Sequence, residues 1–238
     1  MENKPVLYLI PVNLSDAPLA SALPARNLEL VSRLKHYVVE NLRTARRFLK
    51  KCDRSIDIDS LTFAELNVHS DPAKVPAMLA PMERGEDMGL MSEAGCPAVA
   101  DPGALLVAEA QRRGYRVVPL VGPSSILMGL MASGFNGQGF SFHGYLPIQS
   151  ADRDRKIKEL EAAARRTGMT QIFIETPYRN DRMLAQLAHL LQPDTLLCVA
   201  SAITDPERES IVTMPAARWK TPPRSYDKIP TIFLISRP

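Results

Sequence analysis

Three short segments hold most of the residues able to grip a small molecule. Residues 92–103 read Ser-Glu-Ala-Gly-Cys-Pro-Ala-Val-Ala-Asp-Pro-Gly, residues 122–125 read Gly-Pro-Ser-Ser, and residues 175–179 read Glu-Thr-Pro-Tyr-Arg. Glycine permits positive φ and close approach of a ligand to the backbone, whereas proline fixes φ and removes a donor. Loops built this way are shaped, and they offer a ligand main-chain carbonyls and amides with a few hydroxyls. Asp101 can bond such a ligand, although an Asp-Pro-Gly turn bonding its own backbone is the stronger default. Arg179 suits a phosphate or an ion pair with Glu175, and the spacing does not choose.

A second chemistry lies in residues 43–54. At about 100° per residue, Arg43, Arg46, Arg47, Lys50, Lys51 and Arg54 fall on one side of a helix, with Ala45, Phe48, Leu49 and Cys52 opposite. Such a stripe meets several phosphates at once and binds RNA in a salt-sensitive way. The same pattern also describes an amphipathic helix with a solvated cationic face, so both readings stand. Glu40, just upstream, reads first as a cap on that helix that offsets Arg43.

The remaining reactive residue types have plainer readings. His36, His69, His143 and His189 lack metal-ligand spacing, so no metal is expected. Cys52, Cys96 and Cys198 are an odd number without a CxxC pair, which supports neither a disulfide framework nor a zinc site. Cys96 reads as a space-filler, and Met88, Met91, Met128 and Met131 as core.

Those loops need elements to place them. The chain has 238 residues, 45% of them hydrophobic, enough for one large α/β domain or two smaller ones, and a net charge of +3. No run of eighteen apolar residues and no signal segment is visible, so the expectation is a cytoplasmic protein without a membrane span. Strands are expected at 6–10, 36–39, 61–66, 88–91, 116–121, 140–145, 171–175, 196–200, 209–214 and 231–235. Helices are expected at 28–35, 42–51, 73–84, 103–113, 124–132, 152–166 and 179–191. This alternation argues for α/β layers with largely parallel sheet, and the closely spaced last strands for an antiparallel edge in the C-terminal half. Glycines at 122, 134, 137 and 139 mark a junction, giving domains 1–121 and 122–238. Each of the three loops then sits at the carboxyl end of a strand, where α/β sheets bind ligands. Neither GxGxxG nor GxxxxGK[ST] occurs, which argues against an ordinary dinucleotide or nucleoside-triphosphate cradle.

In order along the chain, Gly95, Pro97, Asp101, Pro102 and Gly103 form GxPxxxDPG, followed by VVPLVGPSS, FSFHGYLP and ETPYR. Together they resemble the tetrapyrrole methylase superfamily of S-adenosylmethionine-dependent methyltransferases, and FxGYLP with ETPYR is most similar to its ribosomal RNA small subunit methyltransferase I family. The resemblance implies two α/β domains, the N-terminal sheet mostly parallel and the C-terminal sheet mixed, with the cofactor in the cleft between them, and a homodimer. It implies S-adenosylmethionine as cofactor, held by Ser92, Glu93, Gly95, Pro97, Asp101, Gly103, Gly122, Pro123, Ser124, Ser125, Glu175, Thr176, Pro177 and Ala200. Small-subunit rRNA, methylated at a ribose 2′-oxygen, is the implied acceptor, with Arg179 and the basic stripe as its contacts and Glu40 as the base. Methylation of a tetrapyrrole or other small molecule, and non-catalytic cofactor or RNA binding, are the alternatives. The chain departs from its relatives where their PTPIGN-like loop becomes residues 11–16, Pro-Val-Asn-Leu-Ser-Asp. It departs again where EDTR becomes residues 40–43, Glu-Asn-Leu-Arg, where an ELTK-like segment becomes residues 201–205, and in lacking a tail after the last strand.

Overall fold

The computed structural model describes residues 4–238, which divide between Ser124 and Ser125 into two compact units. The first holds a five-stranded sheet of β1 (Val6–Leu9), β2 (His36–Val39), β3 (Thr62–Glu65), β4 (Met88–Met91) and β5 (Arg116–Pro119), in the order β3-β2-β4-β1-β5 and parallel throughout. Its inner strands β1 and β4 read as unbroken apolar runs because both faces are covered, whereas the edge strands β3 and β5 carry exposed Thr62, Glu65 and Arg116. Tyr37 and Val39 join Ile10 and Met91 in one core with Val31 of α1 (Ala25–Val31) and Phe48 and Leu49 of α2 (Leu42–Cys52). Val38, pointing the opposite way, joins Leu7, Met88 and Leu90 in a second core. That core includes Met82 of α3 (Ala80–Glu83) and Leu106 and Ala110 of α4 (Gly103–Arg112). Gly89 lets the first core close: a Cβ there would lie 2.7 Å from the Ile10 Cδ1 atom and 2.9 Å from the Tyr37 ring.

The strand order places the ligand end of this sheet. The chain runs outward from β1 to β2 and β3, returns to β4, and then crosses to β5. The connection leaving β1 runs through α1 on one face and that leaving its neighbour β4 through α4 on the other, which opens a crevice at their carboxyl ends.

The second unit carries β6 (Phe140–Tyr145), β7 (Thr170–Ile174), β8 (Leu196–Ser201), β9 (Ser210–Pro215) and β10 (Thr231–Ser236), in the order β6-β7-β10-β8-β9. Only β6 and β7 are parallel. Ile157 and Leu160 of α6 (Ser150–Thr167) and Leu184 and Leu187 of α7 (Asn180–Leu190) pack with Trp219, Phe173 and Phe233 on one face. The other face takes α5 (Ser125–Ser133), whose Gly129 lies over Ile232 and Ala200.

Both units thus have the expected layers, with local differences. The last two strands do not pair: β10 inserts between β7 and β8, and the antiparallel edge strand is β9 on β8. A short 3-10 turn, Ala216–Lys220, precedes the return to the sheet centre and buries Trp219. The segment expected as one helix over 73–84 is a 3-10 stretch, Pro72–Leu79, followed by α3, because Pro76 and Pro81 each lack the amide a continuous α-helix needs. α1 starts three residues early, just after Pro24. Met131 is 81% exposed on the outer side of α5 and fills no core gap.

Candidate active site

Three loops meet at the crevice of the first unit. After β1, Val12 forms a two-bond bridge with Gly95, its N–H donating to the Gly95 carbonyl at 2.9 Å and its carbonyl accepting the Gly95 N–H at 2.8 Å. After β5, Gly122 lies so close to Pro11 that a Cβ would sit 2.2 Å from the proline's own Cβ. After β4, the Cys96 thiol donates to the Pro123 carbonyl at 3.5 Å. Pro97 is buried, and Ser92 donates its hydroxyl to the Ala94 carbonyl at 3.3 Å. Burial raises the Cys96 thiol above its usual range, which fits a packed sulfhydryl and not a thiolate nucleophile.

The loop between β4 and α4 is strained. Gly95 takes φ +71°, and two residues with a Cβ, Ala98 at +65° and Ala100 at +60°, also adopt left-handed backbone. Each of the latter costs about 1–2 kcal/mol. Such conformations persist where the surroundings hold them, typically at ligand sites. Here they wrap the chain around Asp101. The Gly103 N–H donates to its Oδ1 at 2.6 Å, while the amides of Ala98 and Val99 face the same carboxylate. Oδ2 is buried with no partner of hydrogen-bonding geometry. A Cβ on Gly103 would lie 2.6 Å from Oδ1, so no larger residue fits beneath it. Burial pushes the Asp101 carboxyl up, and the three amides oppose that rise.

Glu40 stands at the end of β2 beside this loop. Its N–H donates to the Met91 carbonyl at 3.2 Å, and its Oε2 accepts the Glu93 N–H at 3.1 Å. Burial raises its pKa most; the Glu93 amide lowers it, and the charges of Asp101 and Glu93 raise it further. Among the described residues, no lysine or arginine pairs with Glu40 or Asp101. Glu40 does not cap α2. That role belongs to Asn41, whose Oδ1 accepts the Arg43 and Thr44 amides at 2.9 and 3.1 Å, with Glu65 taking the Leu42 amide at 3.0 Å.

The basic stripe is present with a shorter helix. Arg43, Arg46, Arg47, Lys50 and Lys51 are exposed on α2, opposite buried Ala45, Phe48 and Leu49. Arg54 lies beyond its end: Asp53 turns extended and accepts the Ser55 amide and hydroxyl at 2.8 and 2.6 Å, which stops the helix. The exposed Lys50 ammonium donates to the Arg54 carbonyl at 3.0 Å, and that of Lys51 to the Asp16 and Ala17 carbonyls at 3.2 and 3.3 Å, tying α2 to the loop after β1. Arg46 lies 5.7 Å from the centre of the Phe63 ring. Asn41, Arg43, Arg47 and Glu65 line a shallow groove at the helix start.

In the second unit, Glu175 is buried at the end of β7. Its Oε1 accepts the Thr176 amide at 2.6 Å, the Arg179 Nη2 at 2.7 Å and the Arg179 Nε at 3.0 Å. Of the two readings of Arg179, the structure therefore gives the ion pair. Pro177 opens a 3-10 turn, Pro177–Arg179, that leads into α7. Ala200 is fully buried in mid-strand beneath α5, with Ser201 at the strand's end. Ser124 is half-buried, and Ser125 is the first residue of α5.

Among the described residues, no group of three or more His, Cys, Asp or Glu is placed to hold a metal. His36 pairs with Glu86 at 3.2 Å, and His143 bonds Gln171 at 2.8 Å. No helix of the described residues is long and apolar enough to cross a membrane. Sequence reasoning missed Asn41 as the helix cap and Val12 as the clamp on Gly95. Asn before a helical pattern was a readable signal for the first, whereas nothing local marks the second.

No family model matches the chain. Individual proteins do. Ribosomal RNA small subunit methyltransferase I of Vibrio cholerae is 32% identical over 220 residues, which cover 91% of this chain and 71% of that protein. Proteins of the same name from Mesorhizobium japonicum and Escherichia coli O157:H7 are 32% and 30% identical, covering 84% and 83% of this chain but 64% and 65% of their own lengths. Among solved structures, diphthine synthase matches with a TM-score of 0.66 at 16% identity, covering 98% of this chain and 90% of that one. The methyltransferase CobJ matches with 0.61 at 18% identity, covering 98% and 92%. The solved structures establish the fold, a parallel α/β unit followed by a mixed one. The sequence likeness extends across nine-tenths of the chain: this chain belongs to the ribosomal RNA small subunit methyltransferase I family.

Proposed function

We propose that this chain is an S-adenosylmethionine-dependent methyltransferase acting on small-subunit ribosomal RNA at a ribose 2′-oxygen. One observation carries the reading: at the carboxyl ends of β1, β2 and β4, half-buried Glu40 and Asp101 hydrogen-bond backbone amides, and neither has a lysine or arginine partner among the described residues. A buried carboxylate oxygen without a partner is costly, and Asp101 Oδ2 is such an atom. A methyl donor that is cationic at sulfur and carries an ammonium fits that need. When bound, S-adenosylmethionine supplies an activated methyl whose sulfur departs as a neutral thioether.

The chain's own residues do the rest. Asp101 and the main chain of residues 95–103 hold the cationic end, with Ser92, Glu93, Gly122, Pro123 and Ser124 around it. Rigid placement matters most here, because an in-line displacement gains chiefly from alignment and from exclusion of water. The acceptor hydroxyl proton passes to Glu40 Oε1, since Oε2 is occupied by the Glu93 amide. Its burial-raised pKa moves Glu40 toward the working pH, where a general base is most effective. Arg43, Arg46, Arg47, Lys50, Lys51 and Arg54 meet RNA phosphates, placing the work in the cytoplasm. A homodimer gives exposed Leu127 and Met131 of α5 an apolar partner surface.

The chain spans 64–71% of the length of these relatives, so the full activity is tested directly. Calorimetry with S-adenosylmethionine is expected to show one site per chain. Labelled methyl is then expected to appear in 30S subunits that lack the modification, at a position resistant to alkaline cleavage. Transfer to a porphyrinoid instead, or donor binding with no transfer, overturns the rRNA reading.

A further inference from the structure

The second unit holds one buried cation that its own carboxylates do not neutralise. Arg153 of α6 is 5% exposed. Its Nε donates to Gln186 Oε1 at 2.7 Å, and its Nη1 to the Ile148 carbonyl at 2.9 Å and the Pro147 carbonyl at 3.5 Å. All three acceptors are neutral, and Nη2 has no hydrogen-bond partner among the described residues. Gln186 in turn donates its amide to Asp154. Elsewhere in this unit the buried carboxylates Glu161, Glu175 and Asp205 each have an arginine within 4 Å. A buried guanidinium without a counter-charge is costly, and it points to an anion supplied from outside.

The surroundings agree. Arg153 opens onto a cavity of about 290 Å³ that Arg179, Arg182 and Glu175 also line. Glu175 is engaged by Arg179, so the pair cancels and leaves Arg153 and the exposed, unpaired Arg182 as net charge. Gln149 and Ser150, at the start of α6, form another wall. That helix has eighteen residues and no side-chain cap, and its first-turn Asp152 turns to Arg155 at 2.8 Å. Its first amides are thus available to an oxyanion at the positive end of the helix dipole. Arginine forks match tetrahedral oxyanions in geometry as well as charge.

We propose that this cavity is a phosphate site, filled by a backbone phosphate of the RNA substrate. The source of the phosphate rests on the acceptor reading above; the anion site itself does not. Inorganic phosphate is titrated into the full chain, against sodium chloride of equal ionic strength, with thermal midpoint and 31P line width as readouts. Wild type is expected to respond to phosphate beyond the chloride control. Arg182→Gln, at an exposed position, is expected to bind roughly tenfold more weakly, as is Arg153→Gln. Binding of a small-subunit rRNA fragment is then followed against salt, where Arg182→Gln is expected to lower the slope of log K on log salt by about 0.7. No phosphate response beyond chloride overturns the site. A phosphate response with an unchanged RNA slope overturns the RNA source and leaves a site for free phosphate. Methyl transfer to 30S failing in wild type, with phosphate binding intact, overturns the acceptor reading alone and supports the site.

Discussion

The two units treat buried charge in opposite ways. At the crevice of the first, half-buried Glu40 and Asp101 accept hydrogen bonds from backbone amides and have no basic side chain paired with them among the described residues. At the end of β7 in the second, Glu175 has its arginine, and the unmatched buried group is the cation Arg153. A fold can pair its own charges where it chooses, as the bidentate contact of Arg112 with Glu109 shows on the surface of α4. Half-buried acids in one unit and a buried cation in the other match the cationic donor proposed for the first and the anionic backbone proposed for the second.

Glu40→Gln tests the acidic side most severely. Removing a general base is expected to lower kcat by 10²–10⁴-fold with little change in donor affinity. The pH dependence follows from the direction of the shift. A base must be ionised, and burial raises Glu40 above its ordinary 4.5, so wild-type turnover is expected to fall as pH drops through a limb lying above that value. In the Gln variant that limb is expected to vanish. Should it persist, the base lies elsewhere and Glu40 only positions the Glu93 amide.

Asp101→Asn asks whether the orphaned oxygen meets the donor. The substitution keeps shape and removes charge, and loss of a charge-assisted bond of about 1.5–3 kcal/mol corresponds to roughly 10–100-fold weaker S-adenosylmethionine binding by calorimetry. Stability should not follow. An acid whose pKa is raised by folding destabilises the fold as pH climbs through the window above its ordinary 3.8, because the native state resists ionisation. At neutral pH the Asn variant is therefore expected to melt no lower than wild type. A lower midpoint with unchanged affinity would make Asp101 a turn residue only.

The basic face of α2 is weighed in the same way with smaller steps. Arg43 and Arg47 are exposed and take no part in any ion pair among the described residues. Each Gln substitution is expected to reduce the salt slope of rRNA binding by about 0.7 while leaving donor binding intact. An unchanged slope would return α2 to the plain amphipathic reading.

How much of this was readable in the sequence depends on the range of the interactions. β2 and β4 fall where apolar runs put them, because a strand covered on both faces writes its burial into its own residues. The GxPxxxDPG loop was also legible, since its glycines and prolines report backbone shape locally. The end of α2 was not, because a 3.6-residue pattern carries through Arg54 whereas the chain is stopped by the Asp53 side chain. β10 entering the sheet centre is a pairing between distant segments with no local signature. Arg153 was invisible for a related reason: in a helix of mixed charge, only packing against Gln186 and the Ile148 carbonyl shows that this one arginine is buried.

The smallest effect probes what holds the acidic crevice in shape. Ala98 and Ala100 keep a Cβ in left-handed backbone, a strain of about 1–2 kcal/mol each that glycine would relieve. Glycine also loosens the unfolded chain, which returns roughly 0.5–1 kcal/mol of that gain. Ala98→Gly and Ala100→Gly are therefore each expected to raise stability by a few tenths of a kcal/mol to about 1 kcal/mol in denaturant melts. Donor affinity should move the other way, by a few-fold, because a loop with more accessible conformations must be ordered when the ligand arrives. Opposite signs in the two measurements mean that the strain buys preorganisation around Asp101. If stability and affinity fall together, the two methyl groups act by packing, and the left-handed turns are tolerated instead of used.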